Sequence, residues 1–149
     1  MWEWIKVLLL GIFLAWQAIE DYYKKSIRMD IVLIFGGMGI FVYFLSQGIQ
    51  ISVIKELLVS CLPGVLLMVI SHICPGTIGD GDGLVFLVTG IYMGLAKNGI
   101  LIYLSFLLVS MVGGLMFFLP KRKKRASCYP FVPYIFSAFI LIEIWGMRI

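Results

Sequence analysis

Ile31-Val-Leu-Ile-Phe-Gly-Gly-Met-Gly-Ile-Phe-Val-Tyr-Phe-Leu-Ser-Gln-Gly-Ile-Gln-Ile-Ser-Val-Ile54 is a run of 24 residues without a charge, bounded by Asp30 and Lys55. The hydrocarbon core of a bilayer takes about 20 apolar residues in a helix, so this stretch is long enough to cross. Outward from it the charges act as punctuation. Uncharged runs of 23, 23 and 17 residues follow Glu56, Lys97 and Arg125. Two runs are shorter, 13 residues between Lys6 and Glu20 and 14 between Asp82 and Lys97. Both fall under the usual 17–25 of a lone spanning helix and reach that length only by taking in adjoining charges. That puts Glu20 and Asp21 at the end of the first helix and Asp80 and Asp82 at the start of the fourth.

Composition agrees. Of 149 residues 62% are hydrophobic; counted with glycine and without tyrosine the share is about 68%, against about 45–50% in soluble domains. Charged residues are 13%, about half the soluble norm. A large soluble enzyme with an anchor is excluded. Six spans use about 120 residues and leave roughly 29 for loops and ends. The expected fold is all-α: a polytopic integral membrane helical bundle of about six transmembrane helices, with residues 1–149 as a single domain. The opening Met1-Trp-Glu-Trp-Ile-Lys6 lacks the basic start and cleavage site of a secretory signal, so a retained helix is expected. No repeat, low-complexity tract or linker interrupts the chain.

Cytoplasmic loops retain lysine and arginine. With the N-terminus outside, Lys24, Lys25, Arg28 and the run Lys121 to Arg125 lie inside, 8 cations against four outside at Lys6, Lys55, Lys97 and Arg148. The inner loops are then 20–30, 73–82 and 120–128, in a cell (cytoplasmic) membrane, and Glu20, Asp21, Asp80 and Asp82 face the cytoplasm. Trp2, Trp4 and Trp145 suit the headgroup belt. The basic run 121–125 reads as a topology signal touching anionic lipid; no nucleic-acid partner is expected.

Most chemistry can be set aside. Cys61, Cys74 and Cys128 form no C-x-x-C pair, and cytoplasmic thiols stay reduced. His72 and Cys74 alone make no zinc site, so neither a metal nor a cofactor is expected. His72 is the only histidine, against a Ser-His hydrolase, and it reads more simply as a solvated interface residue. The serines stand singly on apolar helices, with no G-x-S-x-G or H-E-x-x-H. Carboxylates remain, and acidic residues at membrane depth are costly and tend to be functional. Asp80 and Asp82 lie among Gly76, Gly79, Gly81 and Gly83, a bare backbone at a helix mouth against which an extended substrate could lie. A calcium loop would need further oxygen ligands and a distal glutamate, whereas the chain turns apolar at Leu84.

These residues resemble the type IV prepilin peptidases, members of the G-x-G-D intramembrane aspartyl proteases. Gly79-Asp80-Gly81-Asp82 fits the motif, with Gly79 and Gly81 as its glycines and Asp82 as one catalytic aspartate by resemblance. Asp21, followed six residues later by Ile27, matches the family's other aspartate. Tyr129-Pro130-Phe131-Val132-Pro133 resembles the proline-aromatic lead into the last helix. The chain departs at Arg28 and Met29, where Pro-Asn is usual, and at Leu84, where many members carry lysine. These departures bear on the start of the second helix and the charge near Asp82.

Without metal, histidine or activated serine, amide hydrolysis is left to two carboxyl groups sharing one proton, one drawing a proton from water and the other donating to the carbonyl oxygen. Glu20 lies about 100° around the helix from Asp21, which favours Asp21; Asp80, beside Asp82, reads as a helix cap or a contact for substrate charge. Asp30 and Glu143 read as a cap and an interface residue. The bland alternative for Asp21 is a salt bridge to Lys24 or Lys25. The resemblance implies an aspartic endopeptidase that removes the basic leader of a prepilin-like precursor at the cytoplasmic face, in type IV pilus assembly or protein secretion. The first inner loop, about 11 residues without CxxC pairs, leaves no place for the family's N-methyltransferase domain. Two other readings stay open: a small proton- or cation-coupled transporter using the same carboxylates, and a non-catalytic membrane subunit of a pilus machine. Oligomeric state is not legible.

Overall fold

A computed structural model describes residues 2–74, 79–118 and 130–146. The side chains of Asp80 and of residues 116–118, and the whole of the basic run 121–125, Cys128 and Tyr129, lie outside the described residues. Five helices follow in order: α1 (Trp2–Lys24), α2 (Met29–Gln47), α3 (Ile51–Ile73), α4 (Asp80–Phe118) and α5 (Val132–Ile144). α1 to α4 are long and apolar enough to cross a membrane, while α5 is shorter. The chain is thus an all-helical, multi-pass type of membrane bundle, with four long apolar helices where the charge pattern predicts about six spans.

α4 is not straight. Gly94 has φ 76° and ψ 172° within it, a region open essentially to glycine alone. A straight helix rises 1.5 Å per residue, which would hold Phe86 and Asn98 about 18 Å apart. Instead the Asn98 amide nitrogen donates to the Phe86 carbonyl at 3.1 Å, and the Thr89 hydroxyl donates to Asn98 Oδ1 at 2.8 Å. The chain therefore reverses at Gly94 into two antiparallel arms, 80–93 and 95–118. The reversal falls just before Lys97, where the charge pattern predicts the fourth and fifth helices to separate.

Lipid offers helices no hydrophobic reason to associate, so close packing and buried polar bonds do the work. α3 packs most extensively on α4. At Gly90 a Cβ would run into the Ser60 carbonyl oxygen and lie 3.0 Å from its carbon, so only glycine permits this backbone approach. α2 is tied to α4 by the Tyr92 hydroxyl, which donates to the Phe35 carbonyl at 2.8 Å. α1 and α5 pack on each other and on α4, enclosing Leu10, Phe13, Leu14, Phe86, Leu101 and Ile135, each at most 1% exposed. Many other large apolar side chains, among them Leu33, Phe41, Leu58 and Leu66, face outward, as lipid contact requires.

Successive helices alternate in direction. The end of α1, the start of α2, the end of α3 and the starts of α4 and α5 therefore gather at one end of the bundle. Asp30 corrects one expectation. The N-cap of α2 is Arg28, without a side-chain cap bond, and Asp30 lies in the first turn, 3.6 Å from the Arg28 guanidinium. One turn inside, its carboxylate suits the positive helix end but caps nothing.

Candidate active site

Asp21 is carried on the last turn of α1. The helix stops because Lys25 takes φ 51°, the left-handed conformation common just past a helix end, and the Lys25 N–H closes the turn on the Asp21 carbonyl at 3.0 Å. The side chain of Asp21 points inward, with the residue 8% exposed, and its Oδ2 accepts the Val132 N–H at 3.0 Å. The first N–H groups of any helix lack intrahelical partners, and Asp21 takes up that of Val132 at the head of α5. Phe131 is seated by its ring, 6.0 Å from Phe86 and 5.3 Å from Phe106, between the two arms of α4.

Glu20 points elsewhere. It meets Lys24 at 3.0 Å and Arg28 at 3.9 Å, so the ion pair considered for Asp21 is made by its neighbour. Lys25 reaches Asp21 through charge alone, with no ion pair among the described residues. The 100° turn between adjacent helical residues thus sorts the two carboxylates, one to the cations and one to the interior.

Asp82 stands three residues past Gly79 in the first turn of α4. Its N–H donates to the Gly79 carbonyl at 3.0 Å and its carboxylate accepts the Gly79 N–H, a reciprocal arrangement like a capping box. A Cβ on Gly79 would lie 3.0 Å from Asp82 Oδ2, which is tight. Gly81 instead makes room for a neighbouring side chain, because a Cβ there would enter Ile27, 2.9 Å from its Cγ1. Ile27 of the α1–α2 connection thus lies directly on the first turn of α4. That connection is held in turn by Gln17, whose Nε2 donates to the Arg28 carbonyl at 3.2 Å.

Asp21 and Asp82 come within Coulombic reach of each other although 61 positions apart in the chain. Of the residues read from sequence, Asp21, Gly79, Gly81, Asp82 and the Phe131-Val132 segment converge on one end of the bundle. Asp80 begins α4, its side chain outside the described residues. His72 and Cys74 lie at the end of α3, His72 exposed and Cys74 at its C-cap. Arg28 is the N-cap and Met29 the first residue of α2, and Leu84 packs against the apolar core. Sequence reading named Ile27 and Val132 as motif positions but missed what they touch, Gly81 and the Asp21 carboxylate, and it missed Gln17. Only the proline at the start of α5 signalled a helix head with free N–H groups, and nothing signalled its partner.

The set comprises two carboxyl groups near each other, one anchored by the head of α5 and one by the head of α4, in a glycine-bared setting. Such a pair can hold and exchange a proton. Among the described residues no group of three or more His, Cys, Asp or Glu side chains could hold a metal ion. Comparison with family models, with curated proteins and with solved structures gives no match.

Proposed function

We propose that this chain is a membrane-embedded aspartic endopeptidase of the prepilin-peptidase kind. The observation that carries the proposal is the meeting of Asp21 and Asp82 at one end of the bundle, where each already has a backbone N–H on its carboxylate. In the proposed reaction one carboxylate takes a proton from water as the oxygen attacks the scissile carbonyl, and the protonated partner donates to the carbonyl oxygen. The proton taken from water then passes to the leaving nitrogen as the C–N bond breaks, while a hydroxyl of the tetrahedral diol returns its proton to the partner carboxylate as the carbonyl re-forms, which restores the shared proton. The backbone bonds hold both side chains in place before the substrate arrives, which lowers the reorganisation needed.

The substrate proposed is a prepilin-like precursor, cut between a short basic leader and an apolar helix at the cytoplasmic face of the cell membrane. The carboxylates attract the leader's cations. The connection between α1 and α2 is short and holds no CxxC pair, so cleavage without N-methylation is proposed. Co-expression with a prepilin reads this out directly. The expected result is a mobility shift of the processed form, with an unmethylated new N-terminus by mass spectrometry. Processing that survives Asp21→Asn or Asp82→Asn would remove the dyad and return these carboxylates to the transporter reading; a methylated product would refute the peptidase-only assignment.

A further inference from the structure

The opposite end of the bundle carries charges that the fold leaves uncommitted. Glu3 and Asp21 are separated by about 27 Å of helix, so the first turns of α1 lie far from the carboxylate pair. Around those turns gather the bend of α4, which carries Lys97, and the last turn of α5, which carries Glu143. Between the three lies a cleft of about 450 Å³ lined by Glu3, Trp4, Val7, Lys97, Ile142 and Glu143. It deepens into a recess of about 30 Å³ reached by Lys6 and Tyr92.

Lys6 is the built part of the recess, beside the Glu3, Val7, Lys97 and Glu143 that line both it and the cleft. Its side chain is 8% exposed and its ammonium sits 3.0 Å from Glu3 and 5.5 Å from the centroid of the Tyr43 ring. An ammonium has three donors, and Glu3 takes one. Burying a cation is costly unless its donors are used. The side chains of Lys97 and Glu143 form no hydrogen bond or ion pair among the described residues. The cleft and its recess together thus offer two ammonium groups, two carboxylates, the apolar Val7 and Ile142, and an exposed tryptophan of the kind found at headgroup depth.

That combination fits an anion and a primary ammonium joined by a short link, with an apolar tail. We propose that the cleft binds the phosphoethanolamine headgroup of a membrane phospholipid. Phosphate oxygens accept from Lys97 and Lys6, and the lipid ammonium donates to Glu143 and Glu3. Val7 and Ile142 lie against the start of an acyl chain. A choline headgroup has no N–H to donate, and a glycerol headgroup brings no cation, leaving Glu143 unpaired beside the phosphate.

The test uses the full chain in nanodiscs of equal phosphatidylethanolamine, phosphatidylcholine and phosphatidylglycerol, with native mass spectrometry of the lipids it retains. Phosphatidylethanolamine should be enriched about tenfold over phosphatidylcholine, the worth of one charge-assisted hydrogen bond at its lower bound. Glu143→Gln should bring retention close to parity, Lys97→Gln should lower retention of all three lipids, whose phosphate is common, and Glu143→Asp should keep most of the preference. Soluble phosphoethanolamine at millimolar concentration should not displace the lipid. Equal retention of all three lipids, enrichment unchanged in Glu143→Gln, or retention unchanged in Lys97→Gln overturns the proposal; displacement by the soluble compound overturns the lipid as occupant. Lipid retention is independent of peptide cleavage, so failure here is distinct from failure of the peptidase reading.

Discussion

Asp82 has two roles available, and a single atom separates them. As a cap its carboxylate needs only to accept the Gly79 N–H; as half of a dyad it must also carry a proton. Asn keeps the acceptor oxygen and loses the proton chemistry, so Asp82→Asn should melt within a few degrees of the parent while its chemistry fails. Asp82→Ala loses both and should cost about 1 kcal/mol more in thermal unfolding, the usual worth of a helix cap. Gly81 offers a second check. Gly81→Ala drives a methyl into Ile27, and overpacking of this kind costs about 1–3 kcal/mol. Ile27→Ala in the same chain should recover most of that loss in a melting experiment. A double variant no more stable than Gly81→Ala would show that Ile27 is not what the glycine accommodates. At this scale the sequence made Asp21 legible over Glu20, because helical geometry turns adjacent residues apart. It could not show the Val132 N–H on Asp21, a contact across 111 positions.

Among the elements, α4 governs the geometry, since both of its arms flank Phe131 and through it the head of α5. Its reversal rests on Gly94 and on the Thr89–Asn98–Phe86 bonds. Gly94→Ala forces a Cβ into a glycine-only conformation and should destabilise the bundle by about 1–3 kcal/mol. Asn98→Leu removes the amide that reaches Phe86 and leaves the Thr89 hydroxyl with only the Phe86 carbonyl, at 3.0 Å. Buried bonds in membrane bundles contribute about 0.6–2 kcal/mol, so a loss of that size is expected in thermal unfolding in detergent. An unchanged melting temperature for both variants would contradict the hairpin. The sequence announced the reversal by its 14-residue uncharged run before Lys97. It did not single out Gly94 among the neighbouring glycines, because which one turns depends on where the arms meet.

For the whole molecule, composition alone identified a chain at home in lipid, and the outward-facing Leu33, Phe41 and Leu66 agree with it. Which helices pair was not legible, since apolar faces in a bilayer carry no inside-outside pattern and the partners are chosen by small residues and a few polar bonds. Orientation remains a proposal with a simple check. In a cysteine-depleted background, Lys24→Cys should label with an impermeant maleimide only from the cytoplasmic side and Lys55→Cys only from the opposite side. The reverse pattern would place the carboxylates outside the cell and end the prepilin reading.

The central claim is that Asp21 and Asp82 act together on a peptide bond. Its most direct measurement is cleavage of a purified prepilin-like precursor by the purified chain in nanodiscs, beside Asp21→Asn and Asp82→Asn variants shown to be folded. The account predicts cleavage by the parent, and a rate lower by about 10²–10⁴-fold in each variant, the usual contribution of general acid–base catalysis. A folded variant of either kind that cleaves at the parental rate would contradict it.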